Sequence, residues 1–416
     1  MFINKNFTSM WFFNFFSILN DRFRELVIPL ITLAFTSSPL ITALVALSQQ
    51  LGAILFAIPL GTWLETKNKV RVSTVCNLIY AFCLFILSFL ITLDHFNSTI
   101  MAIVLFVMGI LALLSRTAFS AMVPLIAGRE KLLKAHTSLE AADALCTIIG
   151  PALGGYLLGK LGSSPTLMIC GVLSITAMAL ISLVKNKHIS ASISHDVPPT
   201  PTIKLMNFIK NSNKGLKLLI ANSPQLISLV VLCVLSFSTV FIPLTIIFHT
   251  DITLNLSAGE IGIILSSAGI GNLIGVLIMR WFKSINWLTF LSSLLIISSL
   301  GVFILFLNDS FYLMCLGMII FDGALSMAFV SQITVHQGIT PDQYLSRIRS
   351  VTFVVSGIFA MLGTFLAGFI PEIISSFFSL FLGFILLVIP GVFILKFKAI
   401  SCKMNELQPI HVEEKE

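Results

Sequence analysis

The chain has 416 residues, of which 57% are hydrophobic and only 10% charged, and its formal net charge is +7. An ordinary soluble domain carries roughly 25% charged residues, so the composition excludes a soluble globular protein and predicts an all-α polytopic membrane protein. The positive charge sits in short segments between apolar stretches, which excludes a nucleic-acid surface as its purpose. Seven cysteines without metal-ligand spacing argue against a disulfide framework and a zinc site. No cofactor and no metal are expected. The first apolar stretch is too long for the core of a cleavable leader, so none is expected.

A membrane-crossing helix needs about 20 mostly apolar residues. Breaks at charges, prolines and glycine clusters predict spans at 10–36, 41–64, 72–93, 99–126, 135–160 and 166–185. A second set is predicted at 225–248, 258–282, 287–307, 311–337, 347–370 and 374–397. The organisation expected is an N-terminal six-helix bundle over 1–185, a polar and basic linker over 186–221, a second bundle over 222–397 and a tail over 398–416. With the N-terminus placed in the cytoplasm, Lys160 is the one basic loop residue that falls outside. So lopsided a distribution predicts that both termini and the linker are cytoplasmic.

The first span contains FFSILNDRFRELVIPLI (15–31), with Asp21, Arg22, Arg24 and Glu25 at its waist. A charge at the bilayer centre costs roughly 2.5 to 3.5 kcal/mol on insertion scales. A helix starting only after the cluster, at Leu26, would have too few residues before the Thr36-Ser37-Ser38-Pro39 turn to cross. At 100° per residue the four charges fall within an arc of about 160°, with Phe23 on the other side. Asn14, Ser17 and Thr32 extend the same stripe, predicting one wet face along much of the helix. Asp21 with Arg24, and Arg22 with Glu25, are opposite charges at i,i+3 and are expected to pair. Asp21 and Glu25 lie one turn apart, and a protonatable site at mid-membrane is what proton-coupled transport requires.

Later spans carry further ionisable groups: Arg116 in the fourth, Glu140 and Asp143 at i,i+3 in the fifth, and Asp322 in the tenth, followed by Gln332 and His336. The fifth span also contains Gly150 and Gly154, a small-xxx-small pair that lets helices approach closely, with Pro151 between them to bend the helix. Gly271 and Gly275 repeat that spacing in the eighth span, and the eleventh holds Gly357, Gly363 and Gly368. GIILSSAGIGNLIG (262–275) lies in an apolar span and lacks the strand–turn–helix setting of a nucleotide fingerprint. No Ser-His-Asp set or phosphate loop is present in the sequence, and an enzyme is not expected.

Six plus six spans around a basic central loop resemble the major facilitator superfamily. GTWLETKNKVRV (61–72) resembles the family's G-x-L-A-D-R-x-G-R-K loop, with Gly61, Glu65 and Lys69 at matching places and Thr66 and Asn68 departing from it. IIGPALGGYLLG (148–159) resembles the G-P-x-x-G-G motif of the antiporter branch through Gly150, Pro151, Gly154 and Gly155. The stretch 123–155 and its counterpart TPDQYLSRIRSV (340–351) are similar to the subgroup of enterobactin-type siderophore exporters and macrolide efflux proteins.

The resemblance implies a major facilitator fold with 12 transmembrane helices in two six-helix halves. Spans 1, 4, 7 and 10 are expected to line the central cavity, with Asp21, Arg116 and Asp322 facing one aqueous space. Spans 2, 5, 8 and 11 are expected where the halves rock. The expected activity is secondary active export of a small molecule, such as a siderophore or an amphipathic drug, across a bacterial inner membrane by proton antiport. Asp21, Glu25 and Asp322 are the expected proton carriers. Arg22, Arg24, Arg116, Glu140 and Asp143 are expected to bind substrate or relay charge. Gly61, Glu65, Lys69, Gly150, Pro151, Gly154 and Gly155 are expected in gating and packing. The partners expected are a small-molecule substrate, protons or another ion, and the lipid bilayer. An importer in the same fold and a non-transporting membrane receptor are the alternatives.

Overall fold

The computed structural model describes residues 4–128, 131–184, 222–282, 284–307, 309–340 and 342–407. Among them are twelve long helices and no named strand: α1 (Lys5–Thr36), α2 (Pro39–Glu65), α3 (Lys69–Thr92), α4 (Ser98–Ala127), α5 (Leu132–Leu161), α6 (Ser163–Ser182), α7 (Ser223–Phe248), α8 (Ala258–Met279), α9 (Trp287–Leu307), α10 (Phe311–Ile339), α11 (Asp342–Ile373) and α12 (Ser376–Ile394). Each expected span corresponds to one of these helices. The linker expected over 186–221 lies outside the described residues. Eleven helices are long and apolar enough to cross a membrane. The other is α1, which has 32 residues but carries four charges at its waist.

Polar caps set the starts. The Asn4 side chain accepts the Phe7 N–H at 2.7 Å, Ser38 accepts from Ile41 and Asn68 from Arg71. Each satisfies a donor that the first helical turn leaves without a partner. Asn97 accepts two, from Thr99 and Ile100. At α8, Ser257 and Glu260 bond reciprocally, with the Ser257 N–H donating to the Glu260 carboxylate at 2.8 Å; this is a capping box. The α1–α2 turn passes through Ser37 at φ 51°, the left-handed conformation that ends a helix.

Contacts divide the chain into two compact units, Met1–Leu205 with Asn255–Ser266, and Met206–Leu254 with Ser267–Glu416. In the first, α1 packs on α5 and α6, and α3 packs on α4 and α6. The second repeats these adjacencies six helices later: α7 on α11 and α12, α9 on α10 and α12. The shared pattern extends to backbone contact. In the first unit, a Cβ on Gly109 or Gly52 would collide with the Gln49 or Phe106 carbonyl, bringing α2 and α4 together. In the second, Gly271 meets the Ile319 carbonyl and Gly323 lies against Gly271, bringing α8 and α10 together.

Interior packing follows burial. In the first unit, Phe23, Val27, Ile31, Leu84, Met101 and Leu105 form the centre of an apolar cluster. A second cluster around Phe7, Met10, Met122 and Ile181 holds the start of α1 against α4, α5 and α6. In the second unit, the chain after α12 turns back onto the α8–α9 connection, where Trp287 N–H donates to the Cys402 carbonyl and Met404 N–H to that of Ile285.

Backbone crossings have no room for added volume. Gly109→Leu is expected to lower unfolding stability by about 1–3 kcal/mol or more through overpacking. Gly61→Ala, where an added Cβ meets nothing within 4 Å, should not lower it, and its gain in helix propensity adds up to about 1 kcal/mol. Thermal unfolding in detergent checks the pair.

Candidate functional site

The waist of α1 is held by ion pairs from three directions. Asp21 Oδ1 accepts from Arg24 Nη2 at 2.7 Å, and Arg22 Nη1 donates to Glu25 Oε2 at 3.2 Å. These are the two i,i+3 pairs expected from spacing. From α4, Arg116 Nη2 reaches Asp21 Oδ2 at 3.5 Å. From α5, Asp143 Oδ1 meets Arg22 Nη2 at 3.4 Å. Three carboxylates and three guanidiniums therefore balance in two adjacent sets, Arg24–Asp21–Arg116 and Glu25–Arg22–Asp143.

The burial of these groups differs sharply. Arg24 has a side-chain exposure of 4%, whereas Arg116 has 81%. Arg24 also donates to Gln49 Oε1 on α2 at 3.3 Å, and its guanidinium lies 5.0 Å from the centre of the Tyr80 ring on α3. The aromatic face and the carboxylate compensate a cation that water does not reach. Arg24 is thus a fixed internal counter-charge, which corrects the expectation that all four charges share a wet face. Thr32 corrects the same expectation: it is fully buried and donates to the Ile28 carbonyl at 2.9 Å. The stripe is therefore dry at Arg24 and Thr32, while Glu25 on the same arc stays 61% exposed.

Along its polar part lies a cavity of about 60 Å³ between α1, α3 and α4. Asn14, Ser17, Asn20 and Asp21 form one wall and Arg116 and Phe119 another. On the facing side, Asn77 Nδ2 donates to the Ser73 carbonyl at 2.8 Å and to Ser115 Oγ at 2.9 Å. Sequence reasoning missed Gln49, Cys76, Asn77, Tyr80 and Ser115. A signal was present in the paired glutamines Gln49-Gln50 within the second span and in Asn77 and Tyr80, at i,i+3, within the third.

Glycines of α5 explain how α1 comes so close. A Cβ on Gly150 would lie 2.6 Å from the Arg22 Cβ, and one on Gly154 would lie 3.2 Å from the Phe23 carbonyl oxygen. The pair therefore receives the backbone of α1 at the charged waist. Gly155 points elsewhere, to Ala258 and Gly262 at the start of α8. Pro151 has no N–H, and beside it the Ala152 N–H donates to Ser266 Oγ at 2.9 Å.

The remaining expected residues are placed as follows. Glu140 is exposed on α5 and forms no ion pair among the described residues. Asp322 is half-buried on α10, in the second unit. On the same helix Gln332 donates to Ser228 of α7 at 3.2 Å, and His336 is buried near the helix end. Lys69 is buried at the start of α3, and packing gives no reason for glycine at position 61. The Glu65 side chain and those of 342–350, within the 340–351 motif, lie outside the described ones.

The sequence model of the Major Facilitator Superfamily matches residues 10–364. The chain belongs to that superfamily. As a facilitator protein it is an integral membrane transporter, not an enzyme, and its substrate is a small molecule. Several solved transporters share its fold. A crystal structure of the nucleoside transporter NupG aligns with TM-score 0.74 at 15% identity, covering 94% of this chain and 99% of that one. A bacterial homologue of the iron transporter ferroportin, in an inward-facing state, gives 0.74 at 13% identity over 96% and 100%. A POT family transporter in complex with a thioalcohol-conjugated peptide gives 0.73 at 12% over 95% and 96%. No curated protein sequence matches the chain significantly.

The two arginines on Asp21 are expected to differ in what their loss does to the facilitator fold. Arg24→Ala removes a buried guanidinium hydrogen-bonded to Asp21 and Gln49 and should cost about 1.5–3 kcal/mol. Arg116→Ala removes an exposed, longer pair and should cost less than about 1 kcal/mol. Chemical or thermal unfolding of the two purified variants measures the difference.

Proposed function

We propose that this facilitator is a proton-coupled exporter working by alternating access in a bacterial inner membrane, with both termini and the linker in the cytoplasm. The observation that carries the reading is the carboxylate of Asp21, held at the waist of α1 between a buried arginine and an exposed one and open to a polar cavity. A membrane helix bears such groups at a cost, and ionisable residues inside spans mark ion or substrate pathways. Protonation of Asp21 removes the charge that draws Arg116 to it, while Arg24 keeps Gln49 and the Tyr80 ring. Arg116 is then released to meet substrate, and loss of the proton draws it back.

Glu25 and Asp143 share Arg22 and form the second site of charge exchange, with Glu140 one turn away on α5. Asp322 is the corresponding acidic group of the second unit. Export, rather than import, is supported by the Gly150-Pro151 and Gly154-Gly155 motif, whose glycines serve α1 on one side and the start of α8 on the other. The substrate class proposed is a siderophore or an amphipathic drug, following the resemblance of 123–155. Relatives in this fold handle cargo as different as a nucleoside and a peptide, so the fold itself does not narrow the choice.

Everted vesicles containing the protein, energised to an acid interior, test the reading. Addition of a transported compound should collapse the pH gradient. Asp21→Asn should reduce that response by at least tenfold, about 1.4 kcal/mol in the rate-limiting barrier, while inserting normally. An Asp21→Asn protein that exports at the full rate would rule out the assignment.

A further inference from the structure

The cavity beside Asp21 contains polar groups that the ion pairs do not use. Asn20 is 3% exposed and Tyr80 6%, and both line it. Neither Asn20 Oδ1 nor Tyr80 Oη has a hydrogen-bond partner among the described residues. A buried polar atom left without a partner is costly, and native structures satisfy nearly all of them. A site holds water when it is polar and offers roughly 10–15 Å³ per molecule of space for water-sized centres. The cavity has about 60 Å³, and its walls supply an amide, a phenol, the Ser17 hydroxyl and the Asp21 carboxylate.

We infer that this cavity binds a small cluster of ordered waters that carries protons between bulk solvent, at the Arg116 side, and the Asp21 carboxylate. The inference rests on the reading of Asp21 as a proton carrier. Tyr80 Oη and Asn20 Oδ1 anchor the cluster at its closed end. Asn77 and Ser115, already bonded to each other, continue the polar wall. A hydronium ion at the bulk end gives up one proton to the first water, each water passes one proton on as it receives one, and the last proton forms an O–H bond on Asp21, leaving a neutral water at the bulk end. The charged and titratable groups around that carboxylate are Arg24 and the Arg22–Glu25 pair on α1, Arg116 on α4, Tyr80 and Cys76 on α3, and Asp143 on α5. Helix α2 faces it with neutral Gln49. Tyr80 therefore has two separable roles: its ring supports Arg24, and its hydroxyl holds water.

Radiolytic hydroxyl-radical labelling of the purified protein in nanodiscs tests for the cluster, because bound water generates radicals next to side chains that bulk solvent does not reach. Cys76 and Tyr80, 5% and 6% exposed, should be labelled as fast as surface residues, whereas Cys170, fully buried and outside the cavity, should be protected. Ala112→Leu, which fills the cavity, should abolish the labelling of Cys76. Tyr80→Phe keeps the ring, so stability should hold, while proton-coupled transport should slow about tenfold, the equivalent of one hydrogen bond. Protection of Cys76 and Tyr80 in the unaltered protein would overturn the inference. So would full-rate transport by both Ala112→Leu and Tyr80→Phe. If Asp21→Asn abolishes transport in the same assay, the transport reading survives that failure.

Discussion

Charge neutralisation at half-height of α1 is the constraint on which the first unit is built. An arginine taken out of water is tolerable when a carboxylate and further hydrogen bonds surround it, and Arg24 has Asp21, Gln49 and the Tyr80 ring. To supply them, α2 and α3 must both reach α1 at one level. To balance the remaining charges, α4 must bring Arg116 and α5 must bring Asp143. Four helices are therefore fixed in register by one stretch of five residues. The same arrangement leaves one carboxylate between a buried cation and an exposed one, the asymmetry on which the proposed coupling rests.

Close approach of backbones is the complementary constraint. Gly150 and Gly154 let α5 come near enough for Asp143 to meet Arg22, because any side chain there would strike α1. Between α2 and α4 the glycines at 52 and 109 do the same, and the glycines at 271 and 323 do it between α8 and α10. In lipid, where apolar side chains gain little by leaving their surroundings, such small-residue contacts supply packing that a hydrophobic core supplies in water. Charge pairing and glycine contact are thus two halves of one solution: the first requires proximity, and the second allows it.

Much of this architecture is written in local patterns. The apolar stretches and the glycine motif around Pro151 are readable because hydropathy and glycine spacing act over a single helix. The i,i+3 pairs of α1 are equally local. What the sequence does not reveal is which of the four charges is dry. A helical wheel places Arg24 on the same arc as Asp21, but burial depends on what α2 and α3 set against it, and Gln49 and Tyr80 lie 25 and 56 positions further along the chain. For the same reason the cavity wall from α3 went unanticipated, since Asn77 and Tyr80 look like isolated polar interruptions of an apolar span. Thr32 shows the reverse error, a polar residue on the predicted wet face whose hydroxyl is satisfied by its own helix.

Water access along α1 tests the central claim most directly. In a background with the native cysteines replaced, single cysteines at Ser17, Phe23 and Thr32 can be challenged in membranes with a small, charged thiol reagent. A polar face that reaches the waist and stops there requires rapid modification at position 17 and none at 23 or 32. Equal protection at all three, or modification at 23 as fast as at 17, would show that the charged waist has no one-sided path to solvent and would contradict the account.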